Sequence, residues 1–244
     1  MTVVERATGR LVNHDPQSRA YAAPRRALRP VSWLHTMGPV LDQGMVNGCT
    51  GWSGANWLNA SRSLTARKRW NLAHSASLAA ARRYVGNDAG EELYRAATRV
   101  DPFKWVYPPT DNGSSGLGVG KALKAAGAIE SYLWTFSFDQ LLAHGQIQVV
   151  LLGLLWTDAM SDPDAQGFIH IGTDRQVKAA VDSGMGHEVT LRGVNWPRKY
   201  ATIRNQWTED WGIKGEARIP LAELERLVID YQGDCMVPQI GAAA

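Results

Sequence analysis

From Cys49 onward, small and apolar residues fall at helical spacing: Trp52, Ala55 and Leu58, with Trp57 beside them. Glycines at 48, 51 and 54 let other backbone come close to the start of this helix. Helices are also predicted over residues 91–99 and 117–126, the second with Gly127 as its C-cap, and a further one over 75–85. Pro102, Pro108, Pro109 and the run from Asp111 to Ser115 mark a long loop. After residue 145 the pattern turns to strands, at 148–155, 188–194, 200–204 and 216–219. Pro220 followed by an apolar stretch over 221–227 predicts a late helix. Helices first and strands second point to an α+β fold with two subdomains, not to alternating βαβ units.

Residues 1–27 have no periodicity. They open a flexible arm over 1–29, followed by one domain over 30–238 and a short tail over 239–244. The domain divides near residue 130 into a mainly helical half and a mainly strand half. A length of 244 residues and 45% hydrophobic content are enough for a sizeable core.

Charge changes the picture only at the arm. Six arginines (Arg6, Arg10, Arg19, Arg25, Arg26, Arg29) face Glu5 and Asp15 there, so residues 1–30 carry +4 of a net +3. The arm reads as a solvated tail, a docking segment for an acidic surface of a larger assembly, or a cleavable pro-segment. Tyr21 is the one aromatic among these arginines, not the repeated interleaving of a nucleic-acid surface, so no nucleic-acid partner is expected. Two cysteines, Cys49 and Cys235, suit a disulfide-free design in a reducing compartment. The first residues are too polar for a secretory signal, and the longest apolar run, residues 147–156, is too short for membrane insertion. These features predict a cytoplasmic or virion-associated protein.

Cys49 stands at the predicted start of a helix, where backbone N–H groups stabilise a thiolate. His187 follows glycines at 184 and 186 at the start of a predicted strand, which leaves space around its imidazole. By residue type alone each is an ordinary core residue. The other five histidines (His14, His35, His74, His144, His170) and Cys235 have no comparable context.

Together the segments say more. Residues 43–53 read QGMVNGCTGWS, His187 lies 138 positions beyond Cys49, and residues 204–215 read RNQWTEDWGIKG. This order and spacing resemble the papain-like cysteine peptidases. The resemblance runs from about residue 30 to 237. It implies a papain-like fold, with the nucleophile on a central helix and a cleft between the two halves. It implies Cys49 as nucleophile, His187 as base, Asn205 as the residue orienting the histidine, and Trp207 as its shield. Gln43 would donate its side-chain amide to the oxyanion, a contact worth on the order of 3–4 kcal/mol in other hydrolases. Gly113, Ser114, Asn47, Gly186 and Glu188 would line the substrate, a peptide or protein. No cofactor or metal is implied.

Several positions depart from the family's pattern. Val46 stands where the family has a disulfide-forming Cys, Thr50 where it has Trp, Asn47 where it has Gly, and Thr208 where it has Gly. Glu188 replaces the usual Ala on the wall of the second subsite. It would give that pocket a preference for Lys or Arg, unless it pairs internally with Arg192 or Arg204. The family's long inhibitory propeptide is missing, and residues 1–29 are too short to fold independently over the cleft. The alternative reading is a papain-fold structural or binding component of a larger assembly, for example a phage particle, with an idle triad. Peptidoglycan amidases and transglutaminase-like enzymes fit less well, because the Asn-x-Trp block is not their usual third partner.

Overall fold

A computed structural model of the chain describes residues 6–75, 83–184 and 186–241. Among these, a seven-stranded sheet contains β2 (Trp33–Leu34), β4 (Ser131–Trp134), β5 (Val150–Leu155), β6 (Gly186–Asn195), β7 (Tyr200–Arg204), β8 (Glu216–Pro220) and β9 (Asp234–Gln239). The order is β4-β9-β5-β6-β7-β8, with β2 added on β6, and every pairing is antiparallel. A second small sheet pairs β1 (Arg10–Leu11) with β3 (Ser114–Ser115) in parallel.

β5 explains how the halves meet. All six of its residues are buried, and successive side chains leave on opposite faces. Val150, Leu152 and Leu154 enter one core with α6 (Phe138–Gly145) and α8 (Leu221–Ile229). Leu151 enters the other, with α2 (Cys49–Leu58), α4 (Asn87–Val100) and α5 (Gly116–Ala125). The sheet is therefore covered on both sides.

Every residue of α2 is buried, because it lies between α4 and β6. Its contact with α4 requires glycine: a Cβ on Gly51 would lie 2.2 Å from the Gly90 carbonyl oxygen. Its polar side chains reach the sheet: Ser53 Oγ donates to the Val189 carbonyl (3.1 Å) and Asn56 Nδ2 to the Asn205 carbonyl (3.4 Å).

The predicted elements are found with shifted ends, and Gly127 follows the C-cap residue Ala126 rather than supplying it. Most of the helix predicted over 75–85 lies outside the described residues. The picture of helices first and strands second is too simple. Besides α3 (Leu64–His74), α6 and α7 (Asp174–Ser183) are helices that the hydrophobic pattern overlooks. The arm also differs from expectation. It is not a free tail: residues 6–29 hold β1 and α1 (Pro16–Arg19), the latter capped by Asp15, and they pack along the body. Cys49 and Cys235 are both free and buried, Cys235 in the core side of β9. Among the described residues no helix is long and apolar enough to cross a membrane.

Candidate active site

α2 begins at Cys49 itself, with Gly48 as N-cap and no side chain capping the first turn. The free N–H groups of that turn point toward the cleft end of the helix. The thiol sits against the neighbouring strand, where the Glu188 N–H donates to Cys49 Sγ (3.3 Å). The peptide that joins His187 to Glu188 thus lies beside the sulfur.

His187 is the second residue of β6, and Asn205 directly follows β7, its antiparallel neighbour. That pairing brings His187 Nε2 to 2.8 Å from Asn205 Oδ1. The contact assigns the proton on Nε2 and leaves Nδ1 free to take one. Nδ1 has no other hydrogen-bond partner among the described residues. Trp207 stacks on the ring (centroids 4.5 Å apart, planes at 24°), and Trp156 meets its edge at 4.7 Å. Trp211 closes the aromatic wall at 5.6 Å from Trp207. Trp156 and Trp211 are additions to the residues chosen from sequence. Only their position in a tryptophan-rich chain hinted at them.

Gln43 lies in the loop before α2. Its N–H donates to the Gln206 carbonyl (3.0 Å), and its Nε2 donates to the carbonyls of Val46 (2.8 Å) and Ala7 (3.1 Å). Ala7 belongs to the arm, and its carbonyl also accepts from Trp207 Nε1 (3.0 Å). The arm then continues along the cleft. Gly9 N–H donates to the Gly186 carbonyl (3.2 Å), and Ser114 N–H donates to the Gly9 carbonyl (2.9 Å). Gly9 has φ +111°, and a Cβ there would lie 2.1 Å from the Asn47 carbonyl oxygen, so only glycine fits. Gly113 touches it from the other side, since a Cβ on Gly113 would be 2.2 Å from the Gly9 oxygen. The five residues expected to line substrate thus surround residues 9–10 of the chain itself.

No protein-family profile and no curated protein matches the chain. Solved structures do. Xylellain, a cysteine protease from Xylella fastidiosa, superposes with a TM-score of 0.67 over 99% of this chain and 100% of that one, at 16% identity. Digestive procathepsin L 3 from the larval midgut of Tenebrio molitor superposes with a TM-score of 0.50 over 95% of this chain and 76% of that one, at 14% identity. The chain has the papain-like fold.

In this papain-like fold the sheet register builds a second feature beside the thiol. Glu188 of β6 and Asp234 of β9 both pair with Gly153 of β5, which lies between them. Two strand spacings separate the carboxylates' backbones by roughly 10 Å, and glycine leaves the gap open. Arg10 fills it. Its Nε and Nη2 donate to Asp234 Oδ2 (3.1 and 2.6 Å), and Nη2 also donates to the Gln232 carbonyl (3.2 Å). A Cβ on Gly153 would lie 2.6 Å from Arg10 Nε and 2.7 Å from Glu188 Oε2, so all three side chains converge there. His14 adds a contact of 3.3 Å to Asp234 Oδ1. Arg192 and Arg204, the internal partners considered for Glu188, both pair with Glu216 instead.

Burial governs the electrostatics. It raises the Cys49 thiol far above its ordinary value, opposed by the Glu188 N–H bond. It lowers His187 to about 4, opposed by the bond to Asn205. It raises Glu188 to about 8, aided by Asp234 and opposed by Arg10. With the arm in the cleft, burial disfavours the charged forms of both thiol and imidazole.

Proposed function

We propose that the chain is a cysteine endopeptidase whose arm occupies its own cleft until displaced. The observation that carries this reading is the arrangement of one histidine. Its Nε2 is bonded to Asn205 and its face is covered by Trp207, on the strand whose next N–H touches the Cys49 sulfur. Nδ1 of His187 takes the thiol proton, and the thiolate attacks the scissile carbonyl. The oxyanion accepts from Gln43 Nε2 and from the Cys49 N–H at the head of α2. Gln43 already bonds a peptide carbonyl, that of Ala7, which supports its role as donor. The imidazolium then protonates the leaving amine, and water hydrolyses the thioester. Asn205 holds the ring in the tautomer and rotation this sequence needs.

The substrate side chain beside Glu188 and Asp234 is basic. Arg10 supports this, because the chain's own occupant of that pocket is an arginine bonded to the Asp234 carboxylate and lying beside the Glu188 side chain. Asp234, absent from the residues chosen by sequence, supplies the direct contact.

The idle-triad reading has one observation in its favour: Cys49 and His187 are both fully buried, which disfavours the charged form of each. An epoxysuccinyl thiol probe separates the two. The wild-type chain, Gly9→Ala and Cys49→Ala are incubated with it and mapped by mass spectrometry. An active enzyme labels Cys49 and not Cys235, faster in Gly9→Ala, where the added methyl group expels the arm. No labelling of Cys49 even in Gly9→Ala defeats the peptidase reading.

A further inference from the structure

Gln206 lies between Asn205 and Trp207, is fully buried, and touches Asn205, His187, Cys49, Glu188 and Gln43. Its N–H donates to Asn205 Oδ1 (2.9 Å), which fixes the direction in which that amide faces His187. Its carbonyl accepts from the Gln43 N–H (3.0 Å). Its side-chain Nε2 donates to the Glu188 carbonyl (2.7 Å), reaches the Cys49 carbonyl at 3.5 Å, and stands 3.4 Å from His187 Nε2.

The orientation of this carboxamide follows from its partners. The Glu188 and Cys49 carbonyls only accept, so the atom facing them must be the NH2 group. His187 Nε2 already gives its hydrogen to Asn205. The two nitrogens 3.4 Å apart therefore both carry hydrogens, and their contact is not a bond. The positive end of the amide dipole faces the edge of the ring. Ser53 and Asn56 of α2 also bond the sheet along the same seam.

Resting on the peptidase reading above, we propose that Gln206 is a positioning residue of the site. Its amide ties the first residue of α2 to the strand just past His187, sets the separation of thiol and imidazole, and presents the positive end of its dipole to the ring so that the uncharged imidazole is favoured. The charged or titratable groups beside the ring among the described residues are Cys49 on α2 and Glu188 on β6, with Arg6 of the arm over the Trp207 ring. The ring's direct neighbours Asn205, Trp156 and Trp207 are neutral. The amide dipole therefore acts on His187 with little competition at contact distance.

The test is Gln206→Met, which keeps the length and removes the N–H groups. The His187 titration is followed by 15N NMR of the histidine rings, assigned with His187→Asn, in the full-length chain. The midpoint is expected to rise by about half a unit, because the positive end of the amide dipole beside the ring disfavours its charged form. Cys49 alkylation by iodoacetamide is measured in parallel. Its acid limb is expected to move down in pH while its maximum rate falls, as the spacing of the two groups loosens. An unchanged His187 midpoint, with only a lower melting temperature, would overturn the proposal and reduce Gln206 to a packing residue. If Gln206→Met does not fold, Gln206→Ser withdraws the amide and serves the same readout. The ring titration is read without turnover. Failure of Cys49 to react at all therefore tells against the peptidase reading, not against this one.

Discussion

His187 and Glu188 are neighbours on one strand, both fully buried, and both held toward their uncharged forms. What surrounds them differs. The ring of His187 is set by the body of the protein: Asn205, Trp207, Trp156 and Gln206. The carboxylate of Glu188 faces a pocket whose positive charge comes from the arm, through Arg10. Its two oxygens have no hydrogen-bond partner among the described residues. One residue of the pair is finished by the domain, and the next is finished by whatever occupies the cleft. This contrast separates what the fold contributes to chemistry from what it reserves for a ligand.

The contrast can be broken most severely on the body side. His187→Ala is expected to lower kcat/KM on a peptide substrate by on the order of 10^4-fold or more, since on the peptidase reading it removes the proposed general base. A progress curve with a fluorogenic peptide measures it. On the arm side the sign reverses. Gly9→Ala forces a methyl group against the Asn47 carbonyl and disfavours the positive φ there. Peptide hydrolysis should rise by roughly tenfold, as the fraction of open cleft increases. A slower variant would contradict the plug.

Asp234→Asn sharpens the pocket half of the comparison. It removes the direct partner of Arg10, so the preference for Arg over norleucine at that subsite should drop by ~10–30-fold. A positional-scanning library gives the ratio. The smallest effect is on stability. Folded Glu188 keeps its proton up to about pH 8, whereas an unfolded one releases it near 4.5. Between these limits the folded state binds more protons, so stability falls as pH rises. His187 acts in the other window: it stays neutral down to about 4 when folded and protonates near 6.5 when unfolded, so stability falls as pH drops through that range. Glu188→Gln should flatten the first slope and leave the second, moving the melting temperature near pH 8 up by roughly 2–4 °C. Thermal melts across the two windows decide it.

The same division describes what the sequence made legible. Cys49, Gln43, His187, Asn205 and Trp207 sit in short contiguous segments, where residue type and spacing carry the signal. Asp234 does not. It reaches the pocket only because β9 pairs with β5 at Gly153, a contact between residues 81 apart that no local pattern encodes. Arg10 was visible as charge, but its place depends on Gly9 slipping between Asn47 and Gly113. The helix α7 was within reach and is overlooked. Thr173 and Gln176 form a capping box, and Gly184 ends the helix in a left-handed conformation, both readable signals.

The arm has one further consequence. Ala23 N–H donates to the Trp134 carbonyl (2.7 Å), and Trp134 N–H donates to the Tyr21 carbonyl (2.9 Å), which fastens the arm to β4. Only about ten residues lie between that fastening and Arg10. A segment on so short a tether meets its cleft at an effective concentration in the millimolar range, so a micromolar peptide of equal intrinsic affinity wins roughly once in a thousand encounters. On the peptidase reading, raising substrate is therefore a poor way to open the cleft. Cutting the tether, or drawing Arg10 off Asp234, changes the odds at once.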